Sequence, residues 1–136
     1  MSKTYVIDCN VIVKWFFDEE DSDKVEFLYK EAKSGEIKLY APEIIELEFL
    51  GVLTKLFTAK KTEKPFSRRS FLYFLEACED KVINLISLVS KRKEIFEVAL
   101  DKKIKYFDAE YLYLAKMLNA QLLTFDEDLK KKQSKI

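Results

Sequence analysis

The chain has 136 residues with equal numbers of basic and acidic side chains, 24 of each, so no bulk charge draws it to a polyanion. Its 49% hydrophobic residues predict one soluble domain over residues 1–136, and the lack of a signal peptide or of an apolar run of roughly 18 residues predicts a cytoplasmic location. The absence of histidine excludes Ser-His-Asp and Cys-His catalysis, and the presence of only two glycines argues against a P-loop or a dinucleotide-binding loop.

The first half of the chain predicts two strands separated by helices. The strands are short apolar runs, and the helices carry apolar residues at helical spacing. Gly35 lies just past one helix, and we place Pro42 at the first position of the next, so these two residues mark predicted boundaries. The predicted strands are residues 4–8 and 37–42, and the predicted helices are residues 10–17, 18–35 and 42–57.

The second half continues the alternation. Residues 58–69 are polar and basic, and we expect them to connect two helices, with Ser67 as the N-cap of the second. Because strands joined by helical crossovers pair in parallel, the whole chain predicts an α/β fold in which helices cover both faces of a parallel sheet. The remaining predicted helices are residues 67–80, 88–103, 107–120 and 126–132, and the remaining predicted strands are residues 81–87 and 121–125.

Four carboxylates fall where such a sheet would gather them at one edge. Asp8 follows the first predicted strand and Asp126 follows the last. Asp108 begins the helix before that last strand, and Glu48 lies in the helix after the second strand. Ligands of open parallel α/β sheets bind outside the carboxyl ends of the strands. Taken singly, each aspartate could be a helix cap and Glu48 a solvated helix residue, but one topology can bring all four together.

The helix after the second strand contains two candidate acids. At about 100° per residue, Glu48 lies with Gly51 and Lys55 beside a broad apolar arc, where these residues could line a cleft. Glu46 falls inside the arc itself. Periodicity alone therefore leaves Glu46 as a rival buried acid.

Each of the four acids lies in a segment of characteristic spacing. The segments are YVIDCNVIVKWF, APEIIELEFLGVL, KYFDAEYLYLA and LLTFDEDL. In this order they resemble the motifs of the PIN-domain superfamily, most closely those of its VapC-type toxin ribonucleases, and the resemblance spans nearly the whole chain. The Pro-x5-Glu spacing of the second segment assigns the motif acid to Glu48 rather than Glu46. The resemblance implies a three-layer α/β/α fold around a central parallel sheet of four to five strands.

The resemblance also implies an activity and partners. It implies a metal-dependent endoribonuclease that cleaves RNA phosphodiester bonds, forms a homodimer and acts as a toxin with an antitoxin protein encoded nearby. Two departures stand out: Gly51 occupies a position where many VapC-type members carry Asn, and the chain ends soon after Asp126. We therefore expect a final edge strand to be short or missing.

A metal ion could be the common ligand of these four acids. Carboxylates held close together repel one another, and a divalent cation supplies the missing positive charge. An all-oxygen site without histidine suits Mg²⁺ or Mn²⁺ rather than zinc. The resemblance implies that Asp8, Glu48 and Asp108 hold the principal ion and that Asp126 binds it through water or helps with a second ion. The ion would activate a water and stabilise charge on the scissile phosphate.

Two polar residues and a basic stretch complete the predicted site. Asn10 would orient a metal ligand and Thr124 would offer its hydroxyl to a ligand or a water, although both residue types are also common in ordinary turns and caps. A basic stretch after Glu48 could contact RNA phosphates, a solvated loop being the alternative. The basic residues are Lys55, Lys60, Lys61, Lys64, Arg68 and Arg69.

Three other functions stay open at this point. A haloacid-dehalogenase-like phosphotransferase also places an Asp after its first strand, but it requires D-x-D where this chain has Asn10. A stand-alone RNA-processing nuclease would use the same acids without an antitoxin. A catalytically silent PIN-like module would keep the fold and only bind.

Overall fold

The computed structural model describes residues 3–17 and 22–133. Within these ranges the strands are β1 (Lys3–Ile7), β2 (Ile37–Pro42), β3 (Ile83–Ile86) and β4 (Gln121–Leu123). The helices are α1 (Cys9–Phe16), α2 (Ser22–Ser34), α3 (Ile44–Thr58), α4 (Lys64–Glu79), α5 (Arg92–Lys102), α6 (Tyr106–Met117) and α7 (Glu127–Gln133), with a 3₁₀ turn at Val89–Lys91 before α5.

The four strands form one parallel sheet in the order β3-β2-β1-β4. In the central strand β1, Val6 pairs with Tyr40 of β2 on one side and with Leu122 of β4 on the other. Successive residues of a strand face opposite sides of the sheet, and both Val6 and Ile7 are fully buried. Helices therefore cover both faces, which confirms the predicted three-layer α/β/α fold with a parallel sheet.

Pairing between β2 and β3 corrects the predicted start of the helix that carries Glu48. Pro42 is the last residue of β2 and pairs with Ile86, and the Glu43 N–H then donates to the Ile86 carbonyl over 3.0 Å. The chain cannot turn into a helix until this ladder ends, so α3 begins at Ile44. The placement of Pro42 at the first helical position was wrong.

The start of α4 is a second correction. We predicted Ser67 as its N-cap, but α4 begins at Lys64 with Pro65 in its first turn. Proline is favoured there because its missing N–H would have no helical partner. The Ser67 hydroxyl instead donates to the Glu63 carbonyl, four residues earlier. The connection between α3 and α4 is thus residues 59–63, shorter than predicted.

Residues with a left-handed backbone conformation, in which φ is positive, follow several helices. Gly35 has φ of 87° directly after α2, as a glycine at a helix end should. Lysines take the same conformation after three other helices: φ is 60° at Lys60, 61° at Lys81 and 57° at Lys103, and Asn119 after α6 has φ of 52°. Lysine meets a steric cost there that glycine avoids.

Two predictions reach beyond the described residues. The first turn of the helix predicted from residue 18, at 18–21, lies outside them, and so does the end of the chain at 134–136. Within the described part, the chain after Asp126 forms α7 rather than another strand. No described helix is both long and apolar enough to cross a membrane.

Candidate active site

One open cleft of about 540 Å³ contains all four predicted acids. Asp8 and Asp126 follow the carboxyl ends of the neighbouring strands β1 and β4, Glu48 lies in the second turn of α3, and Asp108 lies in the first turn of α6. Four separate segments therefore bring their carboxylates to the edge of the sheet where ligands of parallel α/β folds bind.

Asp8 is the most buried of the four, with 5% of its surface exposed. It is the N-cap residue of α1, and its Oδ1 accepts a hydrogen bond from the Val11 N–H over 3.4 Å. Its Oδ2 accepts a hydrogen bond from the Thr124 hydroxyl. Burial raises the pKa of Asp8 from 3.8 to about 7, and the nearby Glu48 charge adds to the rise, although the hydrogen bonds from Thr124 and Val11 oppose it.

Asn10 and Thr124 join the turn after β4 to the start of α1. The Asn10 Oδ1 accepts a hydrogen bond from the Phe125 N–H over 3.2 Å. The Thr124 Oγ1 donates to Asp8 and accepts from the Asp126 N–H over 3.0 Å. These bonds fix the spacing between the two aspartates, so both polar residues act by orienting the backbone and the carboxylates.

Capping and cleft lining occur together at Asp126. Its Oδ1 accepts hydrogen bonds from the Asp128 and Leu129 N–H groups at 2.9 and 3.2 Å, which caps the start of α7. Asp8 combines both roles in the same way. Asp108 does not cap a helix, because α6 begins at Tyr106 and Asp108 already lies in its first turn.

Glu48, and not its rival Glu46, lies in the cleft. The Glu48 carboxylate is half-buried, and its Oε1 accepts a hydrogen bond of 2.5 Å from the Tyr111 hydroxyl. Burial raises the pKa of Glu48, and repulsion from Asp108 adds to the rise. Glu46 does not line the cleft; its charge acts on Cys78 instead. No role was predicted for Tyr111, which lies in the KYFDAEYLYLA segment, although its position three residues after Asp108 puts both residues on one face of α6.

The acids interact as a chain of like charges across the cleft. The charge of Glu48 raises the pKa of Asp8. In the same way, the charge of Asp108 raises that of Glu48, and the charge of Asp126 raises that of Asp108. Burial is the main cause of the raised pKa of Asp108, and repulsion from Asp126 comes next. Such a cleft favours a bound cation, and its oxygen donors are those that Mg²⁺ and Mn²⁺ prefer.

The carboxylate oxygens of the cleft are suitable ligands for a divalent cation, but the acids are spaced too widely to form a ready metal site. Within residues 3–17 and 22–133, no three Asp, Glu, His or Cys side chains form a group that could hold a metal ion. The four acids share the cleft walls without converging on one point.

The fold and the cleft agree with the comparisons to known proteins. The PIN domain family model matches residues 5–135. The chain belongs to the PIN domain family. The crystal structure of PAE2754 from Pyrobaculum aerophilum has a TM-score of 0.73 with this PIN domain at 18% identity, over 96% of this chain and 79% of that one. That likeness shows the fold, and no curated protein matches the sequence.

Membership of the family sets the class of activity. PIN domains are in general nucleases, which hydrolyse nucleic acids and typically use divalent metal ions. The haloacid-dehalogenase-like alternative is thereby excluded.

The predicted basic stretch divides between two sides of the α3 helix, with Lys55 on α3 itself and the later residues on α4 or the connection before it. Lys55 lines the acid cleft. Lys64 and Arg68 line a separate groove of about 320 Å³, together with Phe57 and Phe71. The α3 residues of that groove lie roughly half a turn from Glu48 at about 100° per residue, so the groove faces away from the cleft. Only Lys55 of this stretch shares the cleft with the acids.

The other cations of the stretch are exposed. Lys60 and Lys61 lie in the connection after α3, and Arg69 lies on α4. In the part of the chain that the structure describes, none of the six predicted cations has an ion-pair partner. They are therefore available to phosphates, although from different directions.

Two further features of the PIN domain carry no separate chemistry. A cavity of about 640 Å³ lies between α1, α2 and α4, but it contains none of the four acids. Cys9 lines the acid cleft, and burial followed by the charges of Glu48 and Asp8 raises the pKa of its thiol to about 12. A thiol with so high a pKa is a poor nucleophile.

Gly51, which lines the cleft, gives a first prediction about stability. It lies in the middle of α3, and a Cβ built there would meet no heavy atom within 4 Å. We expect Gly51→Ala to raise the free energy of unfolding by about 0.5 to 1 kcal/mol, because alanine favours a helix. Gly35→Ala should lower it by about 1 to 2 kcal/mol, because φ there is positive. Urea denaturation measures both, and a destabilised Gly51→Ala would contradict the open space.

Proposed function

We propose that this PIN domain, spanning residues 1–136, is a Mg²⁺- or Mn²⁺-dependent endoribonuclease. The observation that carries the proposal is the single cleft, at the end of the parallel sheet, whose walls carry four carboxylates from four segments. The raised pKa values of three of them support it, because uncompensated negative charge there is costly without a cation.

Asp8, Glu48 and Asp108 would hold the principal ion, and Asp126 would bind it through water or help with a second ion. When bound, the ion supplies positive charge that activates water and stabilises the scissile phosphate. The chain contributes orientation: Thr124 and Val11 donate to Asp8, and Tyr111 donates to Glu48.

RNA would enter along the rim that carries the cleft cations. Lys14 and Lys55 both line the cleft, and the Lys14 ammonium lies 4.9 Å from the centre of the Phe125 ring. Lysines beside the acids can contact the phosphates that flank the cut. Lys60 and Lys61 follow α3 and would extend this contact, whereas Lys64 and Arg68 would bind RNA only away from the cleft.

Cleavage of single-stranded RNA tests the proposal. Purified protein should cut RNA when Mn²⁺ or Mg²⁺ is present and should stop when EDTA is added. A DNA oligonucleotide of the same sequence should be cut more slowly. Asp8→Asn, purified in parallel, should be inactive. Equal RNA cleavage by wild type and Asp8→Asn would show that the activity comes from a contaminant and would remove support for the assignment.

The toxin role is a narrower part of the proposal. The order of the four motifs, which resembles VapC-type chains, supports it, and with it a homodimer and an antitoxin partner. Expression of the chain alone should arrest growth of a host cell, and co-expression of a neighbouring small reading frame should restore growth. If every neighbouring frame leaves the nuclease activity unchanged, a stand-alone RNA-processing role replaces the toxin role.

A catalytically silent binding module is the second candidate. The absence of a ready metal-holding group among the described residues favours it. A silent module would leave RNA uncut, and one that lacks a metal-holding group would not bind Mn²⁺ at the acid cleft either. RNA cleavage, together with a Mn²⁺ titration followed by electron paramagnetic resonance, distinguishes them.

A further inference from the structure

Tyr111 makes a buried link between two walls of the acid cleft. Its side chain is 1% exposed, and its hydroxyl donates to the Glu48 Oε1 over 2.5 Å, which joins α6 to α3. Asp108 lies three residues earlier on the same helix and also lines the cleft. One face of α6 thus supplies both an acid and the donor that holds a second acid.

The hydrogen bond restricts how Glu48 can point. A glutamate side chain has several rotatable bonds, and ordering it costs conformational entropy that a metal ion would otherwise have to offset. The phenol engages Oε1, while Oε2 accepts no hydrogen bond from the residues that the structure describes. Hydrogen bonds that a buried hydroxyl donates to a carboxylate are among the strong ones, so this Glu48 oxygen is well fixed.

We propose that Tyr111 is a positioning residue that holds Glu48 in the orientation needed to bind the divalent cation. The inference rests on the proposed function, because it assigns Glu48 to the metal. Groups that orient metal ligands affect metal affinity even though they never contact the ion. Tyr111 would act in that way, from the core side of the cleft.

A purely structural role is the competing explanation. A buried tyrosine needs a partner for its hydroxyl in any protein, and Glu48 could merely supply one. The two explanations differ in metal affinity: a structural hydrogen bond affects stability alone, whereas a positioning bond also changes the affinity for Mn²⁺.

The test compares Tyr111→Phe with Tyr113→Phe. Tyr113 lies on the same helix, is half-buried and makes no hydrogen bond through its hydroxyl to any described residue. A Mn²⁺ titration followed by electron paramagnetic resonance should show about 10-fold weaker binding for Tyr111→Phe and unchanged binding for Tyr113→Phe. Thermal unfolding by circular dichroism checks that both variants are folded at the temperature used.

A double-mutant cycle with Glu48→Gln makes the test specific. If Tyr111 acts through Glu48, Tyr111→Phe should weaken Mn²⁺ binding in the wild type and have no further effect once Glu48 is replaced. Unchanged Mn²⁺ affinity in Tyr111→Phe, or equal losses in both backgrounds, would overturn the positioning role. Failure of the wild type itself to bind Mn²⁺ would instead overturn the proposed function, and the inference with it.

Discussion

Glu48→Gln is expected to lower Mn²⁺-dependent RNA cleavage by at least about 100-fold, because loss of a ligand should exceed the effect of losing a group that orients one. Glutamine keeps the size of the side chain and its ability to accept the Tyr111 hydrogen bond, but it removes the negative charge that faces the cleft. Initial rates at fixed Mn²⁺ and saturating RNA measure the effect.

Glu46→Gln is the matched control on the same helix. Glu46 is also half-buried, but it lies outside the cleft, so its replacement should leave the rate within about twofold of the wild type. Circular dichroism should show that both variants are folded. An inactive Glu46→Gln beside an active Glu48→Gln would reverse the assignment of the motif acid.

Asp8 should make the metal-free protein less stable as the pH rises. Its pKa is 3.8 in the unfolded chain and about 7 in the folded protein, so between these values the folded state holds the extra proton. The free energy of unfolding therefore falls as pH rises through this window, by about 4 kcal/mol for this one group. The raised pKa values of Glu48 and Asp108 act in the same direction.

Asp8→Asn isolates this contribution. Asparagine carries no charge, so at about pH 8 the metal-free variant should be more stable than the wild type by roughly 2 kcal/mol, after allowance for a weakened hydrogen bond to Thr124. Below about pH 4 the advantage should disappear. Urea denaturation across this pH range in EDTA measures it, with Asp101→Asn on the exposed side of α5 as the control. Parallel pH dependences for wild type and Asp8→Asn would contradict the burial of a charge.

Mn²⁺ should reverse this pH dependence. A bound cation stabilises the ionised carboxylate, so the increase in Tm on adding Mn²⁺ should grow with pH for the wild type and be lost in Asp8→Asn. Activity and metal-free stability thus make opposite demands on the same residue.

Most of the fold was predictable because its signals are local. The apolar run at residues 37–42 became β2 with the predicted bounds, and Gly35 took the left-handed conformation expected at a helix end. The start of α3 was not predictable in this way, because Pro42 stays in the sheet through pairing with Ile86, which is 44 positions away in the chain. Such long-range pairing leaves no mark on the residues around Pro42.

The acid cleft, too, was predictable in part. From the sequence, capping and cleft lining were alternatives for each aspartate, but the structure shows that Asp8 and Asp126 do both. The role of Tyr111 could not be predicted, because an aromatic residue at helical spacing indicates a core residue. Tyr111 is indeed in the core, but its hydroxyl also donates a hydrogen bond to Glu48 in the cleft. The two directions taken by Lys55 and Lys64 depend on how α4 packs on α3, which the charge pattern does not contain.

The lysines at left-handed positions have a consequence for the denatured state. Glycine at Lys60, Lys81 and Lys103 would relieve about 1 kcal/mol of strain at each position in the folded protein. It would also give the unfolded chain more conformations to lose on folding, which opposes that gain. With only two glycines in 136 residues, the unfolded chain has fewer accessible backbone conformations than a glycine-rich chain would have. Part of the stability of this protein is therefore an entropic property of the disordered chain, and no contact within the fold reveals it.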